Sequence, residues 1–299
     1  MKIFLTGASG YIGGSLAKKL IGKGHEVLGL VRSQEKTAQL EALGVKSLLG
    51  SLDDSDIVAQ GAREADAVIN AANSDHRPVV ETVLEALAGT GKPFIQTSGS
   101  SIVCDDAAGN SESSRIFNDD APFSPIPEKA ARVAIDKLVR KSGIELGVRS
   151  VVICPTLVFG RGHGLHQESV QIPRLVEQSR KRGAGVYIGK GLNIWSVVFI
   201  DDLVDLFLLA LEKAPTGSFF FAENGEQPFK RLAESISQSL GFGGRTEPWS
   251  IDEAAAALGH ELAHFALGSN SRVQAVNARQ LLGWTPSGPS VLEAIENDL

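Results

Sequence analysis

Lys2-Ile3-Phe4-Leu5-Thr6-Gly7-Ala8-Ser9-Gly10-Tyr11-Ile12-Gly13 opens the chain, and its reading decides the fold. An apolar strand runs straight into three glycines spaced G-x-x-G-x-x-G, followed by an amphipathic helix carrying Ile12, Leu16, Leu20 and Ile21. Gly7 lets the chain leave the strand in a tight turn. Gly10, with no Cβ, lets backbone approach a pyrophosphate, and Gly13 lets the helix lie close to the strand. The N–H groups at the helix start and the positive end of its dipole then face phosphates. The spacing differs from the G-x-G-x-x-G of the general dinucleotide fingerprint. Its position between strand and helix gives it weight. Ser9, Tyr11 and Ile12, inside the same turn, are candidate cofactor contacts with the glycines.

Working outward, short β-rich runs alternate with helical patterns through the first half of the chain. Strands are expected at 2–6, 26–31, 47–49, 67–70, 93–97 and 148–153, and helices at 11–21, 35–43, 55–60, 78–87 and 128–141. That alternation predicts an α/β fold of the Rossmann type, a doubly wound parallel sheet covered on both faces. After Ile153 the rhythm changes to loop, helix and a short Val186–Ile188 strand. Residues 197–211 and 218–222 are read as returning to the main sheet, and the chain from Pro228 on as a smaller, mostly helical lobe. The expected division is a cofactor domain over 1–154, with 197–224 returning to it, and a substrate lobe over 155–299.

Composition narrows the function. The 299 residues are 43% hydrophobic and carry a net charge of −6 with no block of one sign, which argues against a nucleic-acid footprint. The first apolar run ends at Gly7, too early for a signal peptide. Asp201, Asp202 and Asp205 interrupt the longest apolar stretch, which argues against a membrane span. Cys104 and Cys154, the only cysteines, lack metal-ligand spacing and read as reduced, buried thiols. A cytoplasmic protein with no metal site is the expectation.

In an open parallel sheet, ligands bind beyond the carboxyl ends of the strands. The second strand ends in Val31-Arg32-Ser33. No carboxylate stands there to hold ribose hydroxyls and repel a 2′-phosphate, whereas Arg32 can bind one with a charge-assisted fork and Ser33 can add a hydroxyl. NADP(H) is therefore expected over NAD(H). Leu52, after the third strand, can flank the adenine. Asn70, Ala71 and Ala72, after the fourth, leave room for the ribose.

These residues support a family resemblance over nearly the whole chain. Thr6-Gly7-x-x-Gly10-x-x-Gly13, Asn70-Ala71-Ala72, Thr97-Ser98-Gly99-Ser100-Ser101 and Pro155-Thr156-Leu157-Val158-Phe159-Gly160 are four of the pieces. Gly191-x-Asn193-x-Trp195-Ser196-x-Val198-x-x-Asp201-Asp202-Leu203 and Leu282-Gly283-Trp284-Thr285-Pro286 complete them. Together they resemble extended short-chain dehydrogenases/reductases of the NAD-dependent epimerase/dehydratase kind. The resemblance implies further cofactor contacts at Thr97, Ser98, Gly99, Pro155, Leu157 and Val158.

It also implies a Tyr-x-x-x-Lys pair on the fifth helix and a Ser or Thr after the fifth strand. Here the helix tail Asp136-Lys137-Leu138-Val139 sets the register, placing Glu128 in the Tyr position and Arg132 in the Lys position. Gly99 stands in the Ser position. The two tyrosines, Tyr11 and Tyr187, are each without a Lys four residues on. The chain thus resembles an atypical branch lacking the standard pair. Arg132 can hold ribose hydroxyls, but guanidinium does not release a proton near neutral pH. Glu128 would need burial to donate. His163, between two glycines past the sixth strand, is the first candidate proton donor. Ser100 can polarise a carbonyl, and Ser101, His76 and Trp195 can line the substrate site.

Three functions are compatible with this reading. The first is an NADPH-dependent reductase of a small carbonyl-type acceptor with a non-standard proton donor. The second is a non-catalytic NADP(H) sensor, and the third a sugar-nucleotide epimerase or dehydratase. A small-molecule substrate is expected, and the helices at 78–87 and 128–141 can form a homodimer face.

Overall fold

A computed structural model describes residues 1–298. Seven parallel strands form the main sheet: β1 (Lys2–Thr6), β2 (Glu26–Val31), β3 (Lys46–Leu49), β4 (Ala67–Asn70), β5 (Pro93–Thr97), β7 (Arg149–Pro155) and β11 (Ser218–Ala222). A short β6 (Phe117–Asn118) falls between β5 and β7 in the chain and lies outside this sheet. The spatial order is β11-β7-β5-β4-β1-β2-β3. The order in which the chain adds strands reverses at β1, which pairs parallel with both β2 and β4. A crevice beyond the ends of β1 and β4 is where such a sheet binds ligands.

Helices α1 (Tyr11–Gly22), α2 (Gln34–Glu41), α3 (Ser55–Glu64), α4 (Arg77–Leu87) and α5 (Ala130–Leu146) connect these strands. The strand interiors are apolar along their whole length (Ile3, Phe4 and Leu5; Val68 and Ile69; Val151 to Cys154 are all buried) because helices cover both faces. The predicted third helix runs four residues further than expected, to Glu64. Its amphipathic stripe continues through Gly61 and Ala62, packed against Phe4.

The return to the main sheet differs in part from the expectation. β11 does join it, parallel to β7. The segment before it does not. β8 (Leu157–Phe159), β10 (Ile194–Phe199) and β12 (Glu226–Pro228) form a separate three-stranded sheet. Only the following helix α7 (Ile200–Lys213) goes back, through Leu203, Leu206, Phe207 and Ala210, into the core of the large sheet. The physical reason is a division of apolar partners: Trp195 and Val197 bury into a second core with Leu157 and Phe159.

That second core is closed by α6 (Gln171–Arg182), β9 (Gly185–Ile188), α8 (Phe229–Ser239), β13 (Thr246–Trp249), α9 (Ile251–Leu258), the short α10 (His260–Leu262) with the π-turn Ala263–Leu267, and α12 (Val291–Asp298). β14 (Val273–Gln274) pairs with β6, and α11 (Val276–Leu282) lies against β11. Small sheets therefore join the helices of this lobe. No helix among the described residues is long and apolar enough to cross a membrane, and no group of three or more His, Cys, Asp or Glu could hold a metal ion.

Candidate active site

The glycine turn is built as the spacing requires. Gly7 has φ +76°, and a Cβ there would lie 2.5 Å from the carbonyl oxygen of Ala71 at the end of β4. A Cβ on Gly13 would lie 2.1 Å from the oxygen of Gly7. Backbone N–H of Gly10 donates to Gly7 O at 2.8 Å and closes the turn. Gly10 is the N-cap of α1 and supplies no side-chain acceptor. By contrast α2, α4 and α9 are each capped by a side chain, from Ser33, His76 and Ser250. A helix start left without a cap, above a cradle that only glycine permits, suits an anionic ligand. A buried hydroxyl without a partner among the described residues, Thr97 Oγ1, stands at the carboxyl end of β5. These residues fit the pyrophosphate and nicotinamide halves of a dinucleotide.

At the adenosine end, Arg32 is exposed. Ser33 caps α2 by accepting from Lys36 N at 3.4 Å, which leaves its hydroxyl proton for an outside acceptor. Leu52 is half-buried against the core of the large sheet. Asn70 corrects a sequence expectation. It is buried, accepts from Thr6 Oγ1 and donates to Gln96 Oε1 at 2.8 Å. Its side chain therefore ties the ends of β1, β4 and β5 together, and the open edge there belongs to the Ala71–Ala72 backbone. Pro155 ends β7 opposite Ala222. Leu157 is fully buried in the second core, so its side chain faces away from the crevice, while Val158 is half-buried.

The polar cluster beyond β5 is centred on Arg132. Its Nε donates to Asp75 Oδ1 at 2.8 Å, Nη2 pairs with Asp75 Oδ2 at 2.5 Å, and Nη1 donates to Ser101 Oγ at 2.9 Å. A Cβ on Gly99 would sit 3.4 Å from Nη1, so the missing side chain makes room for the guanidinium. The hydrogen bonds from Arg132 hold the Asp75 carboxyl below its ordinary value. One helical turn on, Asp136 is buried and accepts from Ser98 Oγ at 2.7 Å. Burial pushes its carboxyl up to about 7, against the lowering effect of that hydrogen bond. Burial also raises the Cys154 thiol well above its ordinary value, and Cys104 to about 12, which disfavours the thiolate of each.

Several predicted residues lie elsewhere. Ser100 Oγ is 2.9 Å from Ser271 Oγ, and its carbonyl accepts from the same hydroxyl. It fastens the turn after β5 (Ser100–Val103) to the C-terminal lobe, and Ser101 alone meets Arg132. Glu128 is exposed. His76 caps α4 through Nδ1, accepting from Val79 N at 3.2 Å, and pairs with Asp53 at 3.0 Å through Nε2. Trp195 is buried, its indole N–H donating to Ser269 O at 2.8 Å, and is a core side chain.

His163 is remote from Arg132. Its loop lies over the outer face of α1, with Gly164 against Gly14 and His163 N donating to Ser15 Oγ at 3.1 Å. Its ring pairs with Asp201 at 2.6 Å and lines a separate hollow of about 350 Å³ with Lys18 and Lys19. The loop closes there because two glycine backbones meet where side chains would hold them apart. A larger groove, about 1000 Å³, is also elsewhere, between the 159–170 loop, α6 and α12.

The sequence reading missed three charged members of the site. Lys129 is buried in the turn that leads into α5, paired with Glu261 of α10. Asp75 is the third. The only local signal for Lys129 was its place beside Glu128.

Comparisons with known proteins agree with this architecture. Residues 3–220 match the NAD dependent epimerase/dehydratase family. The chain is 32% identical over 334 residues to the oxidase ucsJ of an Acremonium species, covering 99% of this chain and 95% of that protein. It is 26% identical over 293 residues to the 4-hydroxy-2-methyl-3-oxo-4-farnesyl-3,4-dihydroquinoline-1-oxide ketoreductase of Stigmatella aurantiaca, covering 88% and 80%. Among solved structures it is similar to dTDP-glucose 4,6-dehydratase of Bacillus anthracis strain Ames in complex with NAD, with TM-score 0.77, 15% identity, and 99% and 94% of the two chains covered. With the family matched over most of its length and the glycine cradle in place, the chain belongs to the NAD-dependent epimerase/dehydratase family of extended short-chain dehydrogenases/reductases, as an NAD(P)-dependent oxidoreductase or a related enzyme.

Proposed function

We propose that the protein is an NADPH-dependent reductase of a small carbonyl-type acceptor, from an atypical branch of its family that works without the Tyr-Lys pair. The observation that carries this reading is the Ser101–Arg132–Asp75 chain, held at the carboxyl end of β5 beside the glycine cradle. When bound, the reduced nicotinamide supplies the hydride. The protein must bind it, orient the acceptor and deliver a proton. Asp75 neutralises Arg132 and sets the plane of its guanidinium, which can then hold ribose hydroxyls. Ser101 Oγ accepts from Arg132, which leaves its own proton to be donated to an acceptor oxygen. Exposed Arg32 and the Ser33 hydroxyl suit a 2′-phosphate. The oxidase and ketoreductase relatives support redox chemistry, the second of them on a ketone.

A sensor reading draws on one observation. Arg132 spends three of its five N–H groups on Asp75 and Ser101, and Glu128, in register with the usual Tyr, faces solvent. Steady-state oxidation of NADPH with a panel of aldehydes, ketones, quinones and imines decides between the two. Turnover with at least one class is expected. Tight NADPH binding with no turnover on any of them would leave the sensor. Helices α4 and α5, packed side by side, are the proposed homodimer face, to be checked by sedimentation.

A further inference from the structure

Lys129 is the only lysine buried among the described residues, with 2% of its surface exposed. Lysine is almost never buried to this degree unless paired. Its partner is unusual. Lys129 Nζ donates to Glu261 Oε1, yet the Glu261 side chain is 67% exposed. The cation is buried and its counter-ion is largely exposed. An ammonium taken out of water costs several kcal/mol, and one exposed carboxylate returns only part of it. The Phe265 ring, its centroid 4.5 Å from Nζ, is the other neighbour.

The position explains the arrangement. Lys129 is the N-cap of α5, three residues before Arg132, and residues so spaced share one face of a helix. Its charge acts on both Asp75 and Cys104. The helix face it shares with Arg132 and its contacts with Glu261 and Phe265 place it between the Ser101–Arg132–Asp75 chain and the 260–267 segment of the C-terminal lobe. Arg132 cannot release a proton, His163 is remote, and Glu128 is exposed.

We infer that Lys129 seats the reacting oxygen of the acceptor and gives it a proton, and that the Glu261 carboxylate occupies this seat until the acceptor displaces it. The inference rests on the reductase reading for its chemical step. As hydride arrives at the carbonyl carbon, the C=O π bond breaks onto oxygen, and the Lys129 ammonium donates a proton to it. The products are the alcohol and the oxidised cofactor. Neutral Lys129 regains a proton from water through Glu261, which opens to solvent. The acceptor is then a keto acid, whose carboxylate can replace that of Glu261 while its carbonyl oxygen lies on the same ammonium, with an apolar or aromatic body to lie on Phe265.

Two measurements test it. The first needs no turnover: benzoate binding followed by ligand-detected NMR. Glu261→Ala should bind benzoate at least tenfold more tightly than the wild type, and Lys129→Met/Glu261→Ala should lose that gain. Equal binding in all three overturns the seat. The second is kinetic. Lys129→Met and Lys129→Arg should each lower kcat by about 10²–10⁴-fold with NADPH affinity within threefold, and only Lys129→Arg should keep the wild-type KM. A loss in kcat below threefold in an active enzyme overturns the proton-donor role and leaves the reductase reading standing. A wild type inactive on every acceptor overturns the reductase reading and the proton transfer with it, and the benzoate result still decides the seat.

Discussion

Arg132 grips Asp75 through two N–H groups and Ser101 through a third, joining the loop after β4, the turn after β5 and α5 at one point. Arg132→Ala should release all three. With Asp75 half-exposed, the expected loss of stability is about 1 kcal/mol, far smaller than the expected loss of activity. Asp75, whose carboxyl is held low by Arg132, stabilises the fold above the unfolded carboxylate range. That contribution disappears as pH falls through the lowered folded value. Denaturation of wild type and Asp75→Asn from pH 7 downward should therefore show a stability gap that closes in acid.

Gly13→Val should abolish cofactor binding. A Cβ at Gly13 already lies 2.1 Å from Gly7 O, and the overlap is with backbone, which cannot swing aside. The helix must lift away from the turn. Fluorescence titration should show no saturable NADPH binding, and a folded variant that binds normally would contradict this placement.

Arg32→Ala should weaken NADPH by about 1.5–3 kcal/mol, the value of a hydrogen bond to a charged group, and leave NADH nearly unchanged. Titration of both cofactors into wild type and variant checks it. Equal affinities in the wild type would remove the case for a 2′-phosphate contact.

Asp136 carries the opposite pH signature to Asp75. Its folded carboxyl is pushed up to about 7 by burial, so between about pH 4 and 7 the native state holds a proton that the unfolded state has lost. Stability from this group is fully present below that window and falls as pH rises through it. Asp136→Asn should flatten this fall in Tm between pH 4 and 7. If the wild type and the variant show parallel profiles, Asp136 is ionised throughout.

His163→Ala should leave kcat within threefold. The ring pairs with Asp201 on the outer face of α1, both side chains about half-exposed, and such pairs contribute about 0.2–1 kcal/mol. A hundredfold loss in kcat at saturating NADPH would return His163 to the site.

The sequence by itself determined the glycine cradle, the parallel sheet and the ends of its strands. Those depend on local properties: a missing Cβ at Gly7 and Gly13, and uninterrupted apolar runs such as Val151–Cys154. Tertiary structure alone decided which neighbour of each candidate pair faces the site. Ser101 rather than Ser100 meets Arg132, and Lys129 rather than Glu128 is buried, because one residue along a helical or 3₁₀ turn rotates a side chain by about 100–120°. Motif register does not resolve a step that small. Trp195 went to the core and His163 to the far side of α1 for a different reason. Their positions follow from contacts with Ser269 and Ser15, 74 and 148 residues away in the chain, and no local pattern encodes which distant surface a loop will close against.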